Sequence, residues 1–173
     1  MSAPLQVVVM GVSGTGKSEV GHRVAARLGM TYVEGDAHHP AANIAKMSDG
    51  VPLTDEDRRP WLEELAGILA TNAAAGTATV LGCSALRRPY RDLLRSGLPD
   101  GGVVFLHLVA AFDVLDARMR RREHFMPPAL LRSQLETLEP LEPDEAGAAL
   151  DVDAPLEDVV ERGVALVRGL TGG

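Results

Sequence analysis

The eight residues GVSGTGKS at 11–18 constrain this chain more than any other feature. They fit the spacing GxxxxGKS, follow a short Val-rich run at 5–10, and open a helical pattern over 17–28 in which Val20, Val24 and Leu28 recur every four positions. Glycines at this spacing let the backbone take positive φ and close on an anion. Successive N–H groups and a helix N-terminus then face phosphate oxygens. On this reading Gly11, Val12, Ser13, Gly14, Thr15 and Gly16 cradle a nucleotide, Lys17 reaches its β- and γ-phosphates, and Ser18 ligates Mg²⁺. A turn holding some other anion, or a nucleotide bound without turnover, is the alternative.

The rest of the chain repeats the strand-then-helix rhythm. Strands are expected at 31–34, 79–83, 103–109 and 150–152, and helices at 86–94 and 129–138. Phe112, Leu115 and Met119 mark another helix, and Leu156, Val159, Val160, Val164 and Val167 mark a last one. Thr54 with Asp57 is a capping-box start, with Pro60 in the first turn and Trp61, Leu62, Leu65, Ile68 and Leu69 on one face. The segment 38–52 is polar and punctuated by Pro and Gly, which suggests a substrate-facing excursion. Alternation of this kind predicts an α/β fold, a parallel sheet with helices on both faces, and 173 residues suit one domain.

Composition narrows the partners. A net charge of -7 opposes binding to nucleic acid or anionic lipid, which requires a basic surface. No run approaches the roughly 18 apolar residues of a membrane helix, and residues 1–10 carry no basic leader or cleavage site, so the expected location is the cytoplasm. The single cysteine, Cys83, reads as a buried small hydrophobe. Of 17 basic residues only Lys17 and Lys46 are lysines, which singles out both positions.

Phosphoryl transfer also needs a group that orients or deprotonates an acceptor. Asp36 lies just past the second strand, where a parallel sheet opens its carboxyl-end crevice, and is the expected base. Glu34, two residues earlier, either supports Mg²⁺ through water or is an ordinary strand-end carboxylate. His38, His39, Lys46, Arg58, Arg59, Arg87 and Arg91 supply more donors near strand ends than a neutral acceptor requires, which suggests an anionic, hydroxyl-rich one. Arg118, Arg120, Arg121 and Arg122 precede a Pro-punctuated segment where a lid carrying transition-state cations belongs.

Four stretches together resemble the small P-loop gluconokinases, relatives of shikimate and adenylate kinases: MGVSGTGKS at 10–18, EGDAHHPAANIAKMSDGVPLTDEDRRPWL at 34–62, CSALRRPYRDLLR at 83–95 and HFMPPALLRSQLETLEP at 124–140. The resemblance implies a P-loop NTPase fold of the nucleoside-monophosphate-kinase type, with five parallel strands and a helical lid at about 120–137. It implies phosphorylation of D-gluconate to 6-phosphogluconate by ATP and Mg²⁺, feeding the pentose phosphate route, in a cytoplasmic homodimer. By matching motif, Asp36 is the base, and His39, Lys46, Arg58, Arg87, Tyr90, Arg91, His124 and Gln134 line the gluconate side. Arg118 and Arg122 are lid arginines against the ATP phosphates, so Lys17, Asp36 and Arg122 are the expected catalytic set. Another small acceptor, such as shikimate or a nucleoside monophosphate, is the near rival, and a nucleotide-sensing module without turnover is the distant one.

Overall fold

A computed structural model describes residues 3–121 and 128–171. In chain order the elements are β1 (Gln6–Met10), α1 (Lys17–Leu28), β2 (Thr31–Glu34), a 3-10 turn (Gly35–His38), α2 (Ala41–Ser48), α3 (Asp55–Ala74) and β3 (Thr79–Gly82). They continue with α4 (Arg88–Arg95), β4 (Val103–Val109), α5 (Phe112–Arg120), α6 (Pro128–Thr137), β5 (Gly147–Asp151) and α7 (Leu156–Thr171). Among the described residues these strands form one parallel sheet in the order β2-β3-β1-β4-β5.

The pleat sends alternate side chains to opposite layers. Val7 and Val9 of β1, Val80, Val104, Leu106 and Leu108 pack on α1 and α7 through Val20, Val24, Val160 and Val164. Val8, Met10, Leu81 and Phe105 point the other way, onto Trp61, Leu62, Leu65 and Leu69 of α3, Leu94 of α4 and Leu115 of α5. Both faces of β1 are therefore covered, which is why its sequence is an unbroken apolar run. β1 lies between β3 and β4, so the carboxyl end of the central strand delivers the glycine-rich turn to the crevice where chain crossovers diverge.

Three local expectations change. The segment 38–52 contains α2, an Ala-rich helix that begins directly after Pro40. Its polar residues hide the helical signal because Asn43 and Lys46 bond to α3 instead of to water. β5 begins at Gly147, earlier than expected, because backbone pairing with β4 extends a stretch whose Ala residues carry little strand preference. α3 begins at Asp55, so Pro60 is its sixth residue and lies inside the helix, not in the first turn. The Thr54 capping box is present, with reciprocal bonds of 3.1 and 2.9 Å to Asp57.

Candidate active site

The turn at 11–16 owes its shape to main-chain geometry. Gly14 and Gly16 have φ of +87° and +86°, in the left-handed region where a side chain is costly. The Thr15 hydroxyl donates to the Val12 carbonyl at 2.9 Å, closing the loop on itself. Lys17 Nζ donates to the carbonyl oxygens of Gly11 and Val12 at 3.0 and 3.2 Å, which folds its ammonium back over the loop. Ser13 N–H donates to Oε1 of Gln134 at 2.7 Å, so a side chain of α6 caps one of the loop amides.

Beside the loop, Ser18 donates its hydroxyl to Glu34, which also accepts from the Tyr32 hydroxyl at 3.0 Å. Burial and the neighbouring Glu34 carboxylate push the Tyr32 phenol up, so it stays a proton donor. A hydroxyl and a carboxylate side by side at a helix N-terminus form a hard-oxygen set suited to Mg²⁺.

A cavity of about 500 Å³ opens from the loop toward α2 and α3, with Ser13 and Lys17 at one end and Asp36, His39, Arg58 and Trp61 along its wall. Asp36 rides on the 3-10 turn. Gly35 has no room for a side chain, because a Cβ there would strike the Gly82 carbonyl oxygen. The indole Nε1 of Trp61 donates to the Gly35 carbonyl at 2.8 Å, and the His39 ring stacks on Trp61 at 3.9 Å between centroids. Burial lowers the His39 pKa, which favours the neutral ring, and its Nδ1 lies 3.2 Å from the Asn43 amide. Asn43 in turn donates to the Asp57 carbonyl at 2.9 Å, tying α2 to α3. Trp61 reads as a core residue in the sequence, and it is one, yet one edge also forms the cavity wall.

The cationic positions separate into two groups. Arg58 lines the cavity, only 9% exposed, and donates to the Tyr90 hydroxyl at 3.0 Å. Gln134 and Ser133 of α6 line it as well. Lys46, Arg87, Tyr90 and Arg91 are not in its wall. Lys46 is bound to Asp57 at 2.7 Å, and that ammonium, with the Thr54 N–H, holds the Asp57 carboxyl at about 2.

Arg91 corrects the expectation of a substrate-facing cation. Its side chain is fully buried and paired in two-pronged fashion with Glu145, at 2.7 and 3.0 Å, while the carbonyls of Ala85, Glu139 and Pro140 take its other donors. Burial alone would raise the Glu145 pKa, but Arg91 and Arg95 hold it at about 2. With every donor direction committed, Arg91 fastens α4 to the segment before β5.

A second cavity of about 240 Å³ lies on the other side of the loop, bounded by Thr15, Gly16, Arg118, Arg121, Val152 and Ala154. Arg118 donates to the Val152 carbonyl at 2.5 Å across its mouth. The residues at 152–154 carry no motif, and only the fold brings them beside the loop. Arg122 and His124 lie outside the described residues.

Residues 7–141 match the AAA domain family. The chain is 52% identical over 137 residues to the gluconokinase of Gluconobacter oxydans (strain 621H), covering 79% of this chain and 76% of that protein. It is 45% identical over 157 residues to the thermosensitive gluconokinase of Escherichia coli (strain K12), covering 90% and 83%. The crystal structure of a gluconokinase from Sinorhizobium meliloti 1021 superposes with a TM-score of 0.86 at 45% identity, over 99% of this chain and 97% of that one. Sequence similarity at this level over most of both partners, on the sheet order and phosphate loop described above, places the chain in the gluconokinase family of small P-loop kinases.

Proposed function

We propose that this protein transfers the γ-phosphoryl group of ATP to the primary hydroxyl of D-gluconate, giving 6-phospho-D-gluconate and ADP. The observation that carries the reading is the single cavity that joins Lys17 and Ser13 of the phosphate loop to a carboxylate, Asp36, and a guanidinium, Arg58. An acceptor that is anionic at one end and has a hydroxyl at the other fits that distribution of charge.

In this mechanism the amides of 13–18 and Lys17 hold the phosphates, and Arg58 receives the acceptor carboxylate, with His39 and Gln134 beside it. Asp36 accepts the hydroxyl proton as the oxygen attacks phosphorus and the bond to the ADP oxygen breaks. Ser18, with Glu34 behind it, would hold Mg²⁺, which would supply charge neutralisation at the phosphates. Arg118, near the end of α5, and Arg122 are proposed as further phosphate cations, with a lid at about 120–137 that excludes water on closing, within one kinase domain spanning 1–173. The cavity beside Gly16 and Val152 is the proposed seat for the nucleotide base.

The same family supports a cytoplasmic homodimer feeding the pentose phosphate route. Among the described residues no helix is long and apolar enough to cross a membrane. The test is ADP release with Mg·ATP and D-gluconate, compared with shikimate, other sugar acids and nucleoside monophosphates. Strong turnover with gluconate is expected. A different preferred acceptor overturns the substrate, and nucleotide binding with silence toward every acceptor overturns catalysis.

A further inference from the structure

Arg58 is the cavity cation best placed for an acceptor carboxylate, yet its hydrogen-bond partner among the described residues is neutral: the Tyr90 hydroxyl. That hydroxyl donates onward to Asp55, and Arg87 donates to the other oxygen of Asp55 at 2.6 Å. Arg87 then reaches Glu139 through Nε at 3.2 Å, and Glu139 accepts the Arg88 N–H at 2.9 Å while its own N–H donates to the Leu86 carbonyl at 2.6 Å. Tyr90 is 5% exposed, with the Arg58 and Arg87 guanidiniums 5.4 and 5.9 Å from its ring centroid. The chain of bonds thus runs from the cavity wall to the residues just after α6, the helix whose Gln134 caps the phosphate loop.

We propose that Tyr90 is a positioning residue for Arg58, with Asp55, Arg87 and Glu139 as its anchor. The inference rests on the reading of Arg58 as the receiver of the acceptor carboxylate. A long, flexible side chain at a cavity wall samples several rotamers unless something holds it. A carboxylate in direct contact would hold it but also neutralise it. A phenol hydroxyl holds it with one bond and places the compensating carboxylate one group further away, so the guanidinium keeps its charge and its remaining donors for an incoming anion. Asp55 itself is kept ionised, first by the Tyr90 hydroxyl and then by Arg87.

The experiment compares wild type with Arg58→Gln, Tyr90→Phe, Asp55→Asn and the double variant Arg58→Gln/Tyr90→Phe, measuring KM for gluconate, KM for ATP, kcat and the urea midpoint. Tyr90→Phe is expected to raise the gluconate KM about tenfold with kcat and the ATP KM near wild type, because a charge-assisted bond to the binding cation is lost while the ring remains. Asp55→Asn, at a side chain that is 60% exposed, is expected to raise it about threefold. In the double variant the loss of the hydroxyl adds nothing beyond Arg58→Gln, since Tyr90 acts only through Arg58. If Tyr90→Phe and Asp55→Asn lower the urea midpoint but leave the gluconate KM at the wild-type value, the chain is a structural tie and the proposal is overturned. Additive effects in the double variant overturn it too. If Arg58→Gln leaves the gluconate KM unchanged, the functional reading of Arg58 fails instead.

Discussion

The phosphate loop and the acceptor wall face one cavity and are made in different ways. The loop is eight consecutive residues whose shape comes from glycine dihedrals and whose donors are main-chain amides. The wall is assembled from Asp36 and His39 on a short turn, Arg58 and Trp61 on α3 and Gln134 on α6, and its donors are side chains held by other side chains. A phosphate is bound by almost any backbone nest, so the loop is portable between chemistries. On the proposed reading the wall selects the acceptor, and it has to be held in place by the tertiary structure.

Substitutions separate the two regions. The largest expected effect is from Asp36→Asn, which removes the proposed proton acceptor at the wall: kcat falls by about two to four orders of magnitude while nucleotide affinity, measured by titration calorimetry, stays near wild type. Comparable losses in both would mean that the two regions are not separable. Next is Glu145→Gln, behind the wall, which strands the fully buried Arg91 guanidinium and is expected to cost about 3 kcal/mol of unfolding free energy. Kinetic constants should be nearly unchanged at a temperature where the variant is folded, and a specific rise in gluconate KM would return Arg91 to the substrate side.

His107 of β4 tests the frame beneath both regions. It is 4% exposed, its Nε2 has no hydrogen-bond partner among the described residues, and burial, then Arg91, lowers its pKa to about 4. Below about pH 6.5 the unfolded chain takes up a proton that the folded one refuses until about pH 4, so this residue removes stability as pH falls through that window. His107→Leu is therefore expected to recover about 2 kcal/mol relative to wild type on going from pH 7 to pH 5 in urea unfolding. An identical pH slope in both proteins would show that the ring protonates inside the fold.

Two smaller changes sharpen the contrast. Gly16→Ala meets no atom within 4 Å, so its cost is backbone strain alone, about 1–2 kcal/mol, read as weaker ATP binding with gluconate KM preserved. Trp61→Phe keeps the stack on His39 but leaves the Gly35 carbonyl without its indole donor. The expected cost is about 1 kcal/mol and a kcat lower by a few-fold, because the turn under Asp36 loosens. A Trp61→Phe effect on ATP affinity alone would contradict the separation of wall from loop.

Much of the frame is legible in the chain. The phosphate loop, the Thr54 capping box, the buried central strand and the alternation of strands with helices are all present as read, since each depends on interactions within a few residues. β5 and α2 are less so: β5 is defined by its ladder to β4, and α2 by bonds from Asn43 and Lys46 to α3. Asp36, His39, Arg58 and Gln134 are identified by motif and do meet in one cavity.

The arginines mark the boundary between the two kinds of knowledge. Arg58, Arg87 and Arg91 sit in family-like motifs and look equivalent in the sequence, because a formal charge carries no label for its surroundings. Arg91 becomes a buried clamp only because Glu145, 54 positions away, is folded against it, and Arg87 is drawn to Asp55 and Glu139. The sequence by itself determined the shape of the glycine-rich loop, since eight adjacent residues set its dihedrals. Which guanidinium lines the cavity was decided by tertiary structure, since burial and counter-charge come from segments far apart in the chain.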